Sequence, residues 1–292
     1  MTLSHPGDDP DHLESVQDPH YTAPLYQKAE AARIIRVPRG TLRDWASPAS
    51  SALRPAEVRA ALARMNSPEA RHVVRLLTSR GQWTDNELRA IIDRLPARDV
   101  DIIRSSAPAL ITTARPVTPR GPTVPFVGLT EAYVLAAFRS AGVPMQRIRP
   151  AIRVLEEQIG LSQALASERL KTDGAEVLWD YGRLTDNPGE KDAVGDLVVV
   201  RHGQGVFRAV VADYLRRVTY KDGWARIINV GAGKVDVTVD PWINGGRPTL
   251  PSRGIAADDV LSRIRAGETT KAVAADYGLR LAEVTALIEL AA

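Results

Sequence analysis

The spacing of apolar residues departs from a helical period in one region of this chain, and that departure constrains the fold more than any other feature. Over most of the 292 residues, apolar side chains recur every three to four positions, as in amphipathic helices. Between about 196 and 240 the spacing becomes two, in LVVVR, RRVTY, ARIINV and KVDVTVD, which predicts short strands. The KDG between two of these segments predicts a hairpin turn. We therefore expect a mainly α protein with a small region of short antiparallel strands.

Prolines, glycines and charges divide the chain into segments. The first twenty residues carry five acids and no Lys or Arg. No interaction within this segment can offset the conformational entropy that it would lose on folding. Residues 107–125 hold five prolines and no helical period, which is typical of a linker or an extended strap. We expect Thr130 to cap the helix that follows, Gly142 to end it, and Gly160 to end the next helix. The predicted organisation is a disordered acidic tail (1–20), a helical hairpin (21–50), a helical insert (51–106), a Pro-rich linker (107–125), a helical middle region (126–190), a small β region (191–240) and a C-terminal helical unit (241–292).

Composition argues against several classes of protein. The chain has no cysteine, which excludes disulfides, thiol catalysis and Cys-ligated zinc. No apolar run approaches the ~20 residues of a membrane span, and the N-terminus does not have the pattern of a secretory signal. The GAGK at 231–234 departs twice from a phosphate-binding loop, and no nucleophile lies beside a base. We therefore expect a cytoplasmic protein without membrane association, catalysis, metal or cofactor.

A cluster of cations marks residues 28–45. The net charge of the chain is +3, but the acidic tail conceals a more basic body. The hairpin segment itself has five cations and two acids. The polar side chains available for DNA contact beside the apolar Leu42 are Arg39, Thr41 and Arg43. Arg33 and Arg36 can reach backbone phosphates. Two interpretations stay open, a DNA-reading hairpin and a basic helical surface that is only solvated.

Two ordered matches favour the first interpretation. YQKAEAARIIRVPRGTLRDW resembles the N-terminal helix-turn-helix of MerR-type regulators, and LTEAYVLAAFRSAGVPMQRIRPAI resembles the next helix pair of that family. By this resemblance Arg39, Thr41 and Arg43 face double-stranded DNA, while Arg147 and Arg149 support backbone contact. The chain departs from the family through an insertion of about 70 residues between the two blocks and through the absence of a sustained heptad pattern. The matching residues are Tyr26, Glu30, Ala31, Ala32, Val37, Thr41, Leu42, Arg43 and Trp45, followed by Leu135, Arg139, Ala141, Gly142, Val143, Ile148 and Arg149.

The C-terminal segment reads DPWINGGRPTLPSRGIAADDVLSRIRAGETTKAVAADYGLRLAEVTALIELA. It is similar to the small family of unknown function numbered 433 (DUF433), which is found in antitoxin proteins. That resemblance implies a trihelical, helix-turn-helix-like unit and a place beside a PIN-type ribonuclease toxin. Together with the MerR-like hairpin it resembles larger VapB-type antitoxins. It implies a type II antitoxin that binds promoter DNA as a homodimer and neutralises a PIN-like toxin. The matching residues are Asp240, Pro241, Gly246, Pro248, Gly254, Ile255, Val260, Leu261, Ala266, Gly267, Glu268, Val273, Tyr277, Gly278, Val284 and Leu287.

The closing helix suits protein contact better than DNA. From Leu281 onward it has two acids and no cation, so phosphates would repel it. Its apolar face is predicted to bind a partner, with burial inside its own domain as the alternative. The face consists of Val284, Leu287, Ile288 and Leu290. Two other functions stay open, a stand-alone MerR-like transcriptional regulator without a toxin and a module that binds only protein.

Overall fold

The computed structural model describes residues 18–47, 58, 62, 68–79, 90–92, 94–96, 99–100, 109–143, 151–152, 155–156, 158–161, 163–185, 188–201, 204–231 and 235–291. The α-helices with defined bounds are α1 (Pro19–Thr22), α2 (Lys28–Ile34), α3 (Arg39–Trp45), α4 (Pro68–Ser79), α5 (Phe126–Ser140), α6 (Glu168–Thr172), α7 (Gly174–Leu184), α8 (Pro188–Leu197), α9 (Ala209–Arg216), α10 (Ala257–Arg265), α11 (Thr270–Tyr277) and α12 (Leu281–Ala291). The strands are β1 (Pro24–Tyr26), β2 (Val124–Pro125), β3 (Val198–Arg201), β4 (Gln204–Phe207), β5 (Val218–Lys221), β6 (Trp224–Asn229), β7 (Thr238–Val239), β8 (Thr249–Leu250) and β9 (Ile255–Ala256). The expected mainly α architecture with short antiparallel strands is confirmed.

Helix α5 lies at the centre of the fold. Every residue from Phe126 to Phe138 is buried, as expected for a helix that is apolar on all sides. It packs against α1, β1, β6, α9 and a short 3-10 helix at Ala164–Ala166. The helix begins after Pro125, and the Thr130 hydroxyl donates to the Phe126 carbonyl in its interior, so the predicted cap at Thr130 is wrong. Gly142 ends the helix in the left-handed conformation, as the sequence predicted.

The proline-rich segment passes directly over α5. A Cβ atom at Gly128 would overlap the carbonyl oxygen of Thr112, so only glycine permits this close approach. The backbone N–H and the hydroxyl of Thr112 donate to the carboxyl group of Glu131, which is fully enclosed by the protein. Burial raises the pKa of Glu131 to about 8. The segment is therefore a strap that donates two hydrogen bonds to a buried acid of α5.

The strands form one five-stranded antiparallel sheet, in the order β5-β6-β7-β8-β9, and two separate pairs, β1-β2 and β3-β4. The predicted hairpin between β5 and β6 is confirmed, with Asp222 and Gly223 both at positive φ, as a two-residue turn requires. Strand β7 is shorter than predicted. The N–H groups of Val230 and Gly231 both donate to the carbonyl of Val237, which interrupts the regular ladder there. Strands β8 and β9 come from the C-terminal unit, so the sheet crosses the boundary predicted at 240.

Helices α10, α11 and α12 form the expected trihelical unit. The Thr269 hydroxyl accepts a hydrogen bond from the N–H of Ala272 and caps α11, and Gly278 ends α11 in the left-handed conformation. Arg263 of α10 pairs with Glu268 and Asp276, which clamps the first two helices together. This unit shares one hydrophobic core with the hairpin, α5 and the five-stranded sheet.

The insert has a hydrophobic cluster of its own. Helix α4 lies in the segment predicted as a helical insert, and its buried residues are Ala70, Val73 and Leu77. These side chains form a cluster with Val58, Leu62 and other residues of the insert, separate from the main core. Most other predictions for 51–106 lie outside the described residues.

The end of the predicted acidic tail belongs to the fold. Asp18 accepts a hydrogen bond from the N–H of His20 and caps α1. The imidazole ring of His20 stacks on Trp242 with the ring centroids 4.5 Å apart. Disorder is therefore the wrong prediction for residues 18–20, and residues 1–17 lie outside the described residues. None of the described helices has the length and apolar character that a bilayer span requires.

Candidate nucleic-acid interface

Helices α2 and α3 form a hairpin with an apolar inner face. Ala31, Ile34, Leu42 and Trp45 are buried in the main core. Pro38 occupies the N-cap of α3, where its missing N–H breaks no helical hydrogen bond. The sequence predicts helices over 27–35 and from 38 to about 45, each within one residue of the observed bounds, with Pro38 as the first helical residue instead of the N-cap.

Arg39 and Arg43 lie on the outer face of α3 and are exposed. The Arg43 side chain is 73% exposed, and its Nε lies 3.9 Å from a carboxylate oxygen of Asp44. An exposed ion pair of this kind contributes little to stability. Arg39 has no carboxylate partner among the described residues. Both guanidinium groups can therefore meet an anion without first breaking a strong ion pair.

Thr41 lies between these arginines in the sequence but is engaged by another element. Its hydroxyl oxygen accepts a hydrogen bond of 2.8 Å from Nη1 of Arg139, in the last turn of α5. Arg139 is exposed, so α5 adds a third cation beside α3. The sequence identified Arg139 only as a family-matching residue, because nothing local indicates that two segments 98 residues apart meet.

Arg33 is held by the C-terminal unit. Its two Nη atoms donate to the two carboxylate oxygens of Asp258 at 2.9 and 2.8 Å. This hydrogen bonding lowers the pKa of Asp258. A phosphate contact by Arg33, as the sequence predicted, would have to compete with this bidentate pair.

Arg36 forms the turn between α2 and α3. Its φ of 57° is in the left-handed region, where a non-glycine residue is uncommon. Its guanidinium donates to the carbonyl of Val230 at the end of β6, and desolvation, followed by the nearby charge of Arg217, lowers its pKa. Arg36 therefore points toward the sheet and not along the outer face of α3.

A cleft of about 340 Å³ opens behind this turn. Sequence reasoning did not find it, because its walls come from four elements that lie far apart in the chain. Its lining residues include Arg36, Tyr133, Arg139, Ser140, Tyr214 and Arg217.

Three other residues singled out by the sequence fall in parts of the chain that the structure does not describe. Arg147 and Arg149 lie outside the described residues, as does Lys234 of the GAGK segment. Within the described ranges, no three His, Asp or Glu side chains are grouped so that they could hold a metal ion.

The apolar face of α12 is used by the protein's own core. Val284 and Leu287 are 0% and 1% exposed. Ile288 and Leu290 are half-buried and pack against the same core. A partner surface at Val284 and Leu287 is therefore the wrong prediction, and burial inside the domain, the alternative, is what occurs. The reason is that α12 packs against α10 and α11 of the same unit.

Comparisons with known proteins bear on these surfaces. A family model described as "Putative DNA-binding HTH domain" matches residues 96–152. A second, described as "Protein of unknown function (DUF433)", matches residues 237–291. The chain is 37% identical over 262 residues to the Mycobacterium tuberculosis protein called "Putative antitoxin VapB45", covering 89% of this chain and 90% of that one. The crystal structure of Rv2018 from Mycobacterium tuberculosis is similar with a TM-score of 0.66 and 33% identity, covering 92% of this chain and 99% of that one.

The matched DNA-binding domain and the hairpin meet in space. The matched region contains all of α5, whose residues Phe126 to Phe138 are buried and cannot reach a base edge. Its exposed end, Arg139, touches Thr41 of the hairpin. The MerR-like type of the helix-turn-helix stays a prediction.

The identity of 37% spans nearly the whole of both proteins, and the DUF433 match agrees with it. The chain therefore belongs to the VapB45 antitoxin family.

Proposed function

We propose that this protein is a type II antitoxin that binds promoter DNA through the exposed face of α3 and neutralises a PIN-like ribonuclease toxin. The observation that carries the DNA contact is the pair of exposed, weakly partnered guanidinium groups at Arg39 and Arg43. The relatedness to a VapB45 antitoxin supports the second half of the proposal.

The geometry of α3 suits a recognition helix. Residues four apart lie on the same side of a helix, so Arg39 and Arg43 project together from the exposed side of α3. Arginine forks bind guanine edges and phosphates, and the N-terminal part of a recognition helix contacts the bases. Arg139 stands beside this face and is placed to contact the DNA backbone. Arg147 and Arg149 fall within the matched DNA-binding domain and are proposed to support backbone contact.

The DNA contact is tested with the full-length protein and a duplex that carries the region upstream of its own gene. Arg39→Ala, Arg43→Ala and the double variant are compared with the wild type by fluorescence anisotropy over a salt series. Each lost phosphate contact should flatten the slope of log K against log salt by about 0.9. Each lost base contact should weaken binding by ~1–3 kcal/mol and relax specificity.

Arg183→Ala is the matched control. Arg183 is exposed in the last turn of α7, so this variant removes the same charge from another surface. We expect it to bind like the wild type apart from a small loss from net charge. If the Arg39 and Arg43 variants bind no worse than the Arg183 variant, α3 is not the reading helix.

The toxin contact is tested separately. Co-expression with an adjacent PIN-like reading frame should give a complex whose ribonuclease activity is suppressed. The Arg39→Ala, Arg43→Ala double variant should keep this complex while it loses DNA binding. Absence of any complex would leave the stand-alone regulator as the better description.

The proposed dimer has its own readout. Light scattering on the free protein should give twice the chain mass of 31.7 kDa. An operator read by a two-fold dimer should contain half-sites about one helical turn, or a multiple of it, apart. A monomer that protects one unrepeated site would contradict the dimer.

A further inference from the structure

The cleft behind the α2–α3 turn collects positive charge from three separate elements. Arg36 comes from the turn, Arg139 from the end of α5, and Arg217 from the residue that follows α9. The remaining walls are apolar side chains, two tyrosines and Ser140. Among the described residues that line the cleft, none is an Asp or a Glu.

These three guanidinium groups have neutral partners. Arg36 donates to the carbonyl of Val230, and Arg217 donates to the carbonyl of Gly231 at 3.0 Å. Arg139 donates to the Thr41 hydroxyl. In the part of the chain that the structure describes, none of the three forms an ion pair with a carboxylate, although most arginines around the C-terminal unit do. Cations held close together without a counter-charge favour an anion between them.

The charges also act on one another. Arg217 contributes to the lowered pKa of Arg36, after desolvation. Two like charges close enough for one to shift the pKa of the other repel, and a bound anion would relieve that repulsion. The protein holds them in place through the Val230 and Gly231 carbonyls, so the arrangement does not depend on a ligand.

The tyrosines give the cleft an aromatic wall, with the two rings tilted by 49°. The rings of Tyr133 and Tyr214 are 5.0 Å apart, and the hydroxyl oxygen of Tyr214 lies 3.5 Å from that of Ser140. Burial raises the pKa of Tyr133 to about 12, so its hydroxyl keeps a proton to donate. Aromatic faces beside a cationic pocket suit the stacking of a planar group.

We propose that this cleft is a binding site for a small phosphorylated molecule of mononucleotide size, with the phosphate between Arg36 and Arg217. Guanidinium forks match phosphate oxygens, and a volume of about 340 Å³ is in the range of small-molecule sites. All three arginines of the cleft are exposed, and they belong to the α2–α3 turn, α5 and the end of α9. The site is thus distinct from the outer face of α3. Arg36 is the turn residue of the hairpin. A ligand bound in the cleft would therefore affect α3.

Isothermal titration calorimetry of the full-length protein without DNA tests the proposal, with inorganic phosphate and adenosine monophosphate as probes. We expect saturable binding of both, tighter for the nucleotide. Arg217→Gln should weaken it by about tenfold or more, since it removes a charged donor. Arg216→Gln is the matched control, because the neighbouring Arg216 is exposed and pairs with Asp213. Its affinity should equal that of the wild type.

A second variant keeps the test decisive if Arg217→Gln unfolds. Arg139→Gln removes the third cation of the cleft and should also weaken binding, by less. No saturable binding at millimolar probe, or equal affinity in the Arg217 and Arg216 variants, overturns the proposal. So does a result in which Arg217→Gln weakens only duplex binding, since the cleft would then serve the DNA backbone. Loss of DNA binding in the Arg39 and Arg43 variants is measured independently, so either proposal can fail alone.

Discussion

The buried carboxyl group of Glu131 should make the stability of this protein fall as the pH rises. Its pKa is about 8 in the folded protein, against 4.5 for the ordinary group, and desolvation is the main cause. Between these two values the folded protein holds a proton that the unfolded chain has lost. The contribution of Glu131 to the free energy of unfolding therefore decreases as the pH rises across this window. It is largest below about pH 4.5.

The size of the effect follows from the width of the window. An interval of about 3.5 pH units, from 4.5 to 8, at ~1.4 kcal/mol per unit corresponds to an upper limit of about 5 kcal/mol. Glu131→Gln keeps the shape of the side chain and an acceptor for the N–H of Thr112. It replaces the titrating group by one that is neutral at every pH. Hence the variant should match the wild type near pH 5 and exceed its stability by several kcal/mol at pH 8.

Urea denaturation followed by circular dichroism from pH 5 to pH 9 measures this difference. Subtracting the Glu131→Gln curve from the wild-type curve cancels other titrating groups, because both proteins share them. A difference that stays constant with pH would refute the reasoning. It would mean that Glu131 is ionised in the folded protein and that the Thr112 hydrogen bonds outweigh desolvation.

Two further perturbations test contacts between the C-terminal unit and the rest of the chain. Gly246→Ala should destabilise the protein by about 2 kcal/mol, because φ is +77° and a Cβ there would overlap the Tyr26 hydroxyl oxygen, which donates to the Gly246 carbonyl. Gly245→Ala, at φ +62° in open space, should cost only about 1 kcal/mol, and equal melting temperatures would contradict the steric argument. A double-mutant cycle of Arg33→Ala and Asp258→Ala should give a coupling of at most ~1 kcal/mol at neutral pH, since both side chains are partly exposed. The lowered pKa of Asp258 means that this coupling is present above about pH 4 and is lost as the pH falls through its folded value, so an unchanged coupling at pH 2 would exclude the ion pair.

Local pattern was sufficient to find most elements of this protein. The apolar spacing predicted α2, α3 and the strands β5 and β6, since a helix or strand must turn one face toward a core. Asp222-Gly223 predicted the hairpin turn, and Gly142 and Gly160 predicted helix ends, because each needs a positive φ that few residues adopt. The closing helix illustrates the limit of this reasoning. Its apolar face was visible in the sequence, but the same face serves equally well for a partner and for the protein's own core.

The tertiary structure alone decided which arginines are available. Arg33, Arg36, Arg39 and Arg43 look alike in the sequence of the hairpin. Asp258 engages Arg33 across 225 positions, and the Val230 carbonyl engages Arg36 across 194. Arg39 and Arg43 remain on the open face. Long-range partners of this kind arise from packing, which no local pattern encodes, and the same is true of the cleft that joins Arg36, Arg139 and Arg217.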